Sequence, residues 1–160
     1  IRDDRALNYG RSSPIEQGDL FDATSNLDTP ANVDGWFVQL QTGEKVVGGS
    51  TTLNGTVIFG TNIPATQVAN SCSSLGEARL YAVNYKTGAP SFNADLDNAV
   101  TADDRYAVTP GGGLPPTPVP VSVSIDNHIY TVAISGPNVI APPGPEINRR
   151  YRQYWRQNRE

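Results

Sequence analysis

Residues 35–64 read GWFVQLQTGEKVVGGSTTLNGTVIFGTNIP, and this stretch decides the fold class. Trp36, Val38 and Leu40 alternate toward one face, as a half-buried strand requires; Lys45 to Thr52 forms a second strand and Thr56 to Asn62 a third. Between the last two sits Asn54-Gly55, a pair that tolerates the positive φ of a two-residue hairpin turn. Ala78 to Asn84, ARLYAVN, supplies the next strand and is closed by the turn Lys86-Thr87-Gly88. The expectation is a four-stranded antiparallel unit built from Trp36–Leu40 and the three strands that follow it.

A second hairpin lies further along. Residues 115–136, PPTPVPVSVSIDNHIYTVAISG, alternate Val119, Val121, Val123 and Ile125, turn at Asp126-Asn127 and return through Ile129 to Ile134. This turn aligns with Asn54-Gly55, so the paired strands look like a second copy of the first hairpin. Four-stranded units repeated along a chain are the signature of a β-propeller, in which radial blades protect one another's edges. At roughly 40–50 residues per blade, the chain holds about two to three blades, too few to close a ring. The expected fold is all-β, a partial β-propeller. Its parts are an irregular lead-in (1–35), a blade (36–90), an acidic insertion (91–112), a second blade hairpin (113–145) and a basic-aromatic tail (146–160).

Composition agrees with a β protein. Gly 15 and Pro 13 together exceed a sixth of the 160 residues, and the apolar runs between them are short and rich in Val, Ile, Thr and Tyr. The chain begins at Ile1 in charged sequence and contains no Met, which reads as a piece of a longer protein. A net charge of −4 argues against a general nucleic-acid surface, since phosphate binding needs clustered Lys and Arg. No apolar run approaches the roughly twenty residues that span a bilayer as a helix, so no transmembrane segment is expected. Cys72 is the single cysteine and makes no disulfide within the chain; it is a buried residue, a free thiol or half of a bridge to sequence beyond this chain.

The acidic insertion carries the candidate site. In Asn93 to Asp104, NADLDNAVTADD, oxygen-bearing side chains fall where a twelve-residue calcium loop places its ligands. Asn93 opens the loop, Asp95 and Asp97 stand third and fifth, and Asn98 stands at the sixth, where the chain must reverse. Ala99 would offer its carbonyl at the seventh, Thr101 would hold a water at the ninth, and Asp104 closes the loop at the twelfth. A neutral Asn in first place and a short Asp in last place point to modest calcium affinity. The competing reading is an acidic surface turn that binds nothing.

Elsewhere the chemistry is sparse. LFDATSNL at residues 20–27 reads as a strand entering a turn bent by Asp22, Thr24 and Asn26. His128 is the single histidine and follows a turn, and no Ser or Cys has an activating base nearby in sequence. The tail INRRYRQYWRQNRE, with five Arg, is either a docking element for an acidic partner or a terminal element that packs Tyr154 and Trp155 and leaves its arginines in water.

Several strings occur in a familiar order: IRDD at the start, LFDATSN at Leu20, GWFVQL then GEKVV, VIFGTNIP, CSSLGEARLYAVNYKTG, the carboxylate loop, GGGLPPTPVPV and YWRQ. Together they resemble the C-terminal propeller region of the PilY/PilC family of type IV pilus assembly proteins and tip-associated adhesins, over most of the chain. The resemblance implies a quinoprotein-like propeller at the bacterial cell surface, exported through the periplasm and outer membrane and non-enzymatic. It implies roles in pilus extension and retraction, attachment and twitching motility, with minor pilins or tip proteins as partners and a calcium loop at Asn93, Asp95, Asp97 and Asp104. The family's adhesive N-terminal region, which would meet host or abiotic surfaces, is not represented in this sequence. LYAVNYKTG is also similar to repeats of quinone-dependent alcohol dehydrogenases, which makes a quinone enzyme the main alternative, with Trp36 or Trp155 as the stacking residue. A metal-free propeller scaffold of an outer-membrane assembly machine is the third reading.

Overall fold

The computed structural model describes residues 2–3, 14–30, 33–66, 75–97, 99–126 and 128–142. Cys72, Asn98, Asn127 and the basic-aromatic tail lie outside them. The fold is all-β. Strands β1 (Arg2–Asp3), β2 (Phe21–Asp22) and β3 (Gly35–Phe37) form a small sheet of order β1-β3-β2. Strands β4 (Lys45–Leu53), β5 (Thr56–Ile63), β6 (Glu77–Asn84) and β7 (Tyr106–Thr109) form a four-stranded antiparallel sheet in sequence order. Strands β8 (Val119–Ile125), β9 (His128–Ser135) and β10 (Asn138–Ile140) form a third sheet, order β10-β9-β8. The described strands thus make three open sheets.

The turns follow from their residues. Asn54 and Gly55 have φ of 49° and 81°, the left-handed pair that lets β4 and β5 meet in a tight hairpin. After β6, Asn84 Oδ1 accepts the Lys86 N–H at 2.8 Å and the Gly88 N–H donates to the Asn84 carbonyl at 2.8 Å. Gly88 is required twice over: its φ is +68°, and a Cβ there would lie 2.6 Å from the Trp36 ring.

One expectation is corrected. The fourth strand of the central sheet is Tyr106–Thr109, beyond the acidic loop; Trp36–Leu40 is not part of that sheet. The backbone of Trp36 and Phe37 pairs instead with Phe21 and Asp22, in parallel. The alternation of Trp36, Val38 and Leu40 is real and records packing: all three side chains line an apolar groove against Val46, Val57, Phe59, Tyr81 and Val83. A period of two marks a face that is buried, whichever sheet the backbone joins.

The central sheet is covered on both faces. On one, Ile58, Leu80 and Ala82 are fully buried against Ala133 and Ile140 of the third sheet, with Leu53 and Phe92 at the margin. Burying a side chain such as Ile58 or Leu80 stabilises by about 1.5–3 kcal/mol. Gly60 lies on this face, and a Cβ there would come within 2.5 Å of Pro115, so glycine is what lets the proline-rich segment cross. That segment is strapped to edge strand β4, where register slips between Val47 and Thr51: Gly49 N–H donates to Thr117 Oγ1 at 3.0 Å and Thr51 Oγ1 to the Pro118 carbonyl at 2.6 Å. The irregularity and the strap together blunt an otherwise open edge. On the other face, Val83 packs with Ala23 and Trp36, flanked by Phe21, Val38, Val57 and Phe59.

Candidate functional site

The acidic loop leaves the central sheet after the Lys86–Gly88 turn, held at its root by the Ser91 N–H donating to the Ala82 carbonyl at 3.0 Å. Short Asx side chains then fold the backbone locally, each accepting an N–H two residues on. Asp95 Oδ1 accepts from Asp97 N at 3.1 Å, and Asp97 Oδ1 from Ala99 N at 2.7 Å. Asp95, Asp97, Ala99 and Thr101 are exposed. The left-handed residue among those described in this loop is Leu96, at φ 59°, one place before Asp97. The reversal expected at Asn98 falls outside the described residues.

Asn93 stands apart. Its Nδ2 donates to the Asp97 carbonyl at 2.7 Å, which fixes the amide so that Oδ1 points the other way. That Oδ1 is buried and has no hydrogen-bond partner. Leaving a buried amide oxygen unsatisfied costs about 1–3 kcal/mol, so the position is expensive as it stands. It is also the first ligand position of the calcium reading.

Asp104 is used differently. It is 2 % exposed. Its Oδ1 accepts the Ala94 N–H at 2.7 Å, and its Oδ2 accepts the Thr101 N–H at 2.6 Å and the Thr101 hydroxyl at 3.2 Å. It therefore ties the start of the loop to its end and completes a capping box on the 3-10 turn Ala102–Arg105. The Thr101 N–H, followed by the Ala94 and Asp95 N–H groups, holds its carboxyl below the ordinary aspartate range despite burial. Each oxygen already carries at least one donor, so Asp104 anchors the loop whether or not an ion is bound.

Arg105 is the residue that sequence reasoning missed. Also 2 % exposed, it gives its guanidinium to five backbone carbonyls. Nε donates to Gly88 O at 2.7 Å; Nη1 donates to Thr24 O at 2.8 Å and Ala102 O at 3.2 Å; Nη2 donates to Ala23 O and to Asn26 O at 2.8 Å. One side chain thereby joins LFDATSN, the Gly88 turn and the end of the acidic loop. Asp22, Thr24 and Asn26 bend the first of these as expected: Asp22 Oδ1 accepts Thr24 N and Asn26 Nδ2 donates to Asp22 O. Burial pushes the Arg105 pKa down from its ordinary value, though nothing near physiological pH deprotonates it. No local signal in the sequence announces this, because the Thr24, Ala23 and Asn26 acceptors lie 81, 82 and 79 residues away.

A second buried polar group sits on the same face of the central sheet. Glu44 accepts from the Thr61 hydroxyl, from Gln41 N at 3.0 Å and from Arg79 Nη1 at 3.3 Å. Arg79 also reaches Gln41 Oε1 at 2.8 Å and stacks over the Tyr106 ring, 4.3 Å to the centroid. Burial, and then the Glu44 charge, raise the Tyr81 pKa, so the phenol stays protonated. The groove beside it, about 530 Å³, was not foreseen either.

Trp36 is buried, and its indole N–H donates to the Tyr85 carbonyl at 3.2 Å, so its ring is engaged in packing. His128 is exposed at the start of β9. Trp155 lies outside the described residues. Among the described residues no three His, Cys, Asp or Glu side chains converge to hold a metal ion, and no helix is long and apolar enough to cross a membrane. Comparison with protein-family models, with curated proteins and with solved structures finds no match.

Proposed function

We propose that this chain is a non-enzymatic module of type IV pilus biogenesis and surface attachment, a sector of a β-propeller at the pilus tip or cell surface whose acidic loop takes calcium. The pilus assignment is supported by the ordered strings from IRDD to YWRQ. The calcium assignment is carried by one observation, the buried Asn93 Oδ1 without a hydrogen-bond partner at the first loop position. Calcium takes oxygen ligands, and Asn93, Asp95, Asp97 and the Ala99 carbonyl supply that chemistry, with Thr101 as a water holder. Bound there, the ion supplies the positive charge that lets neighbouring carboxylates converge.

The chain's own contribution is to limit what must move. Asp104 and Arg105 fix the far end of the loop, so ordering involves residues 93–101, with Asp95 and Asp97 turning from solvent toward Asn93. The ordered loop then presents a defined surface beside the end of β6 to a partner, a minor pilin or tip protein, and so biases pilus extension and retraction.

Thermal melts of the chain in calcium, in magnesium and in chelator, with Asp97→Ala alongside, test this. The expected result is a calcium-selective rise in midpoint that the substitution abolishes; at a calcium concentration one hundred times the dissociation constant the gain is about 2.7 kcal/mol. No calcium-selective shift removes the loop as a metal site. Restoration of twitching by the Asp97→Ala protein as fully as by wild type, with calcium affinity lost, would separate the ion from the pilus.

A further inference from the structure

The first sheet is too small to stand by itself. Its strands have two, two and three residues, and even a full two-stranded hairpin is marginal in water. Among the described residues none of its strands pairs with the central sheet. Its attachment is made by packing, Ala23 and Trp36 against Val83, and by polar ties that converge where the acidic loop begins and ends. The Thr29 hydroxyl donates to the Thr87 carbonyl at 2.6 Å and the Trp36 indole to the Tyr85 carbonyl at 3.2 Å. Arg105 supplies three more, to the carbonyls of Ala23, Thr24 and Asn26.

We infer that the bend at residues 22–26 and the acidic loop open and close as one unit pinned by Arg105, so that whatever orders the loop also orders the bend. The pin is rigid. Its guanidinium carries five N–H donors in a fixed fork, and they meet five carbonyls: three on the bend, Gly88 where the chain enters the loop and Ala102 where it leaves. A planar fork cannot move one arm and keep the others in place. The loop in turn sets where the fork lies. Arg105 is the last residue of the 3-10 turn that Asp104 caps through Thr101, and Asp104 Oδ1 carries the tie to Ala94. Loosening those bonds frees the turn, and a displaced guanidinium leaves the buried Ala23 carbonyl without its donor. An orphaned buried acceptor is costly, so the bend opens to water.

Both coupled elements are weakly held, which is where local opening takes place. In the loop, Asp95 and Asp97 are exposed and fold the backbone through contacts two residues apart; in the bend, Asp22 and Asn26 do the same over two and four residues. Strand β6 of the central sheet is paired on both sides and is held independently of either. The consequence is a second surface under the loop's control, on which Asp22, Ser25, Asn26 and Asp28 are exposed. With calcium as the ordering agent this rests on the calcium reading above; the coupling itself needs no ion.

Residue-resolved hydrogen exchange on the full chain tests the inference. The Ala94 and Thr101 amides, bonded to Asp104, report the loop. The Ala23 amide, bonded to the Phe37 carbonyl, and the Gln39 amide, bonded to Thr24 Oγ1, report the bend; Leu80 in β6 reports the central sheet. In chelator, Asp104→Asn is expected to speed exchange at Ala94 or Thr101 and, with it, at Ala23 and Gln39, by about tenfold, with Leu80 unchanged. Coupling is reciprocal, so Asp22→Ala, which loosens the bend from its exposed side, should speed Ala94 and Thr101. Thr101→Ala, which removes only the hydroxyl bond at 3.2 Å, takes the place of Asp104→Asn should that variant speed Leu80 as well. Faster exchange in the loop with wild-type rates at Ala23 and Gln39 overturns the inference, as does an Asp22→Ala effect confined to the bend. Calcium separates the two readings in the wild type: slowing at all four amides supports both, and slowing at Ala94 and Thr101 alone overturns the coupling and keeps the metal site. Slowing at none removes the metal site, the coupling then being decided by the variants in chelator.

Discussion

The acidic loop holds carboxylates in two places and treats them in opposite ways. At residues 104 and 105 an Asp and an Arg are buried, and they are satisfied by backbone: N–H groups for the carboxylate and five carbonyls for the guanidinium. At residues 95 and 97 two carboxylates stand in water, each spending one oxygen on a local turn. Adjacency in a motif therefore does not set a role. Asp104 and Asp97 are both ligand positions by spacing, yet one is a structural clasp and the other is available to change partners.

Arg105 is the costliest position to change. Arg105→Met keeps much of the side-chain volume and removes every donor, leaving the carbonyls of Ala23 and Gly88 buried without a partner. Lost bonds to a charged donor and the exposed cost of orphaned acceptors predict a destabilisation of about 3–5 kcal/mol, read from the midpoint of urea unfolding. This is a large share of the roughly 5–15 kcal/mol that holds a domain together. Arg105→Lys should rescue little, because an ammonium offers three donors from one point and cannot span the fork. A loss under 1 kcal/mol for Arg105→Met would show that the clasp is incidental.

Asp104→Asn is the next step down. The amide keeps one acceptor and loses the other, so the link to Ala94 or the link to Thr101 fails, and a fall of about 5 °C in melting midpoint is expected. The pH dependence checks the cause. Because the folded-state pKa of Asp104 lies below its unfolded value, its contribution is complete above the ordinary aspartate range and is lost as pH falls through the depressed folded value. Asp22 shifts in the same direction, held down chiefly by Thr24. Wild-type stability should therefore be flat through neutrality and fall below about pH 4, and Asp104→Asn should fall less steeply there.

How much of this the sequence disclosed follows from distance along the chain. The hairpin at Asn54-Gly55, the Lys86–Gly88 turn and the paired strands of β8 and β9 are local, and each has a residue whose conformational preference names it. The bend at Asp22, Thr24 and Asn26 was legible for the same reason. The central sheet was misassembled because Trp36, Val38 and Leu40 show a buried period of two without sharing its hydrogen bonds, while YAVT, four residues at the end of a polar loop, shows almost no period and does share them. In the candidate site, the oxygen donors were visible and the anchoring of Asp104 was not. An aspartate three residues after a threonine fits a cap as well as a ligand, and spacing alone does not separate the two. The alternation at Val119–Ile125 was also plain, but periodicity says that one face is apolar and leaves open which way it points; the outward choice is set by the Ser122–Thr131 side being the one that seats on the core.

Asp97→Ala costs least and discriminates best. In chelator, Asp97→Ala removes an exposed carboxylate and one turn hydrogen bond, and its urea midpoint should differ from wild type by no more than about 0.5 kcal/mol. On the calcium reading, the same pair should diverge in saturating calcium, because an ion bound to the loop would stabilise the folded state of the wild type alone. A substitution that is silent without the ion and costly with it belongs to a ligand; one that costs the same in both conditions belongs to the clasp. If Asp97→Ala behaves like Asp104→Asn, with a loss independent of calcium, the contrast between the two places collapses and the whole loop is a structural insert.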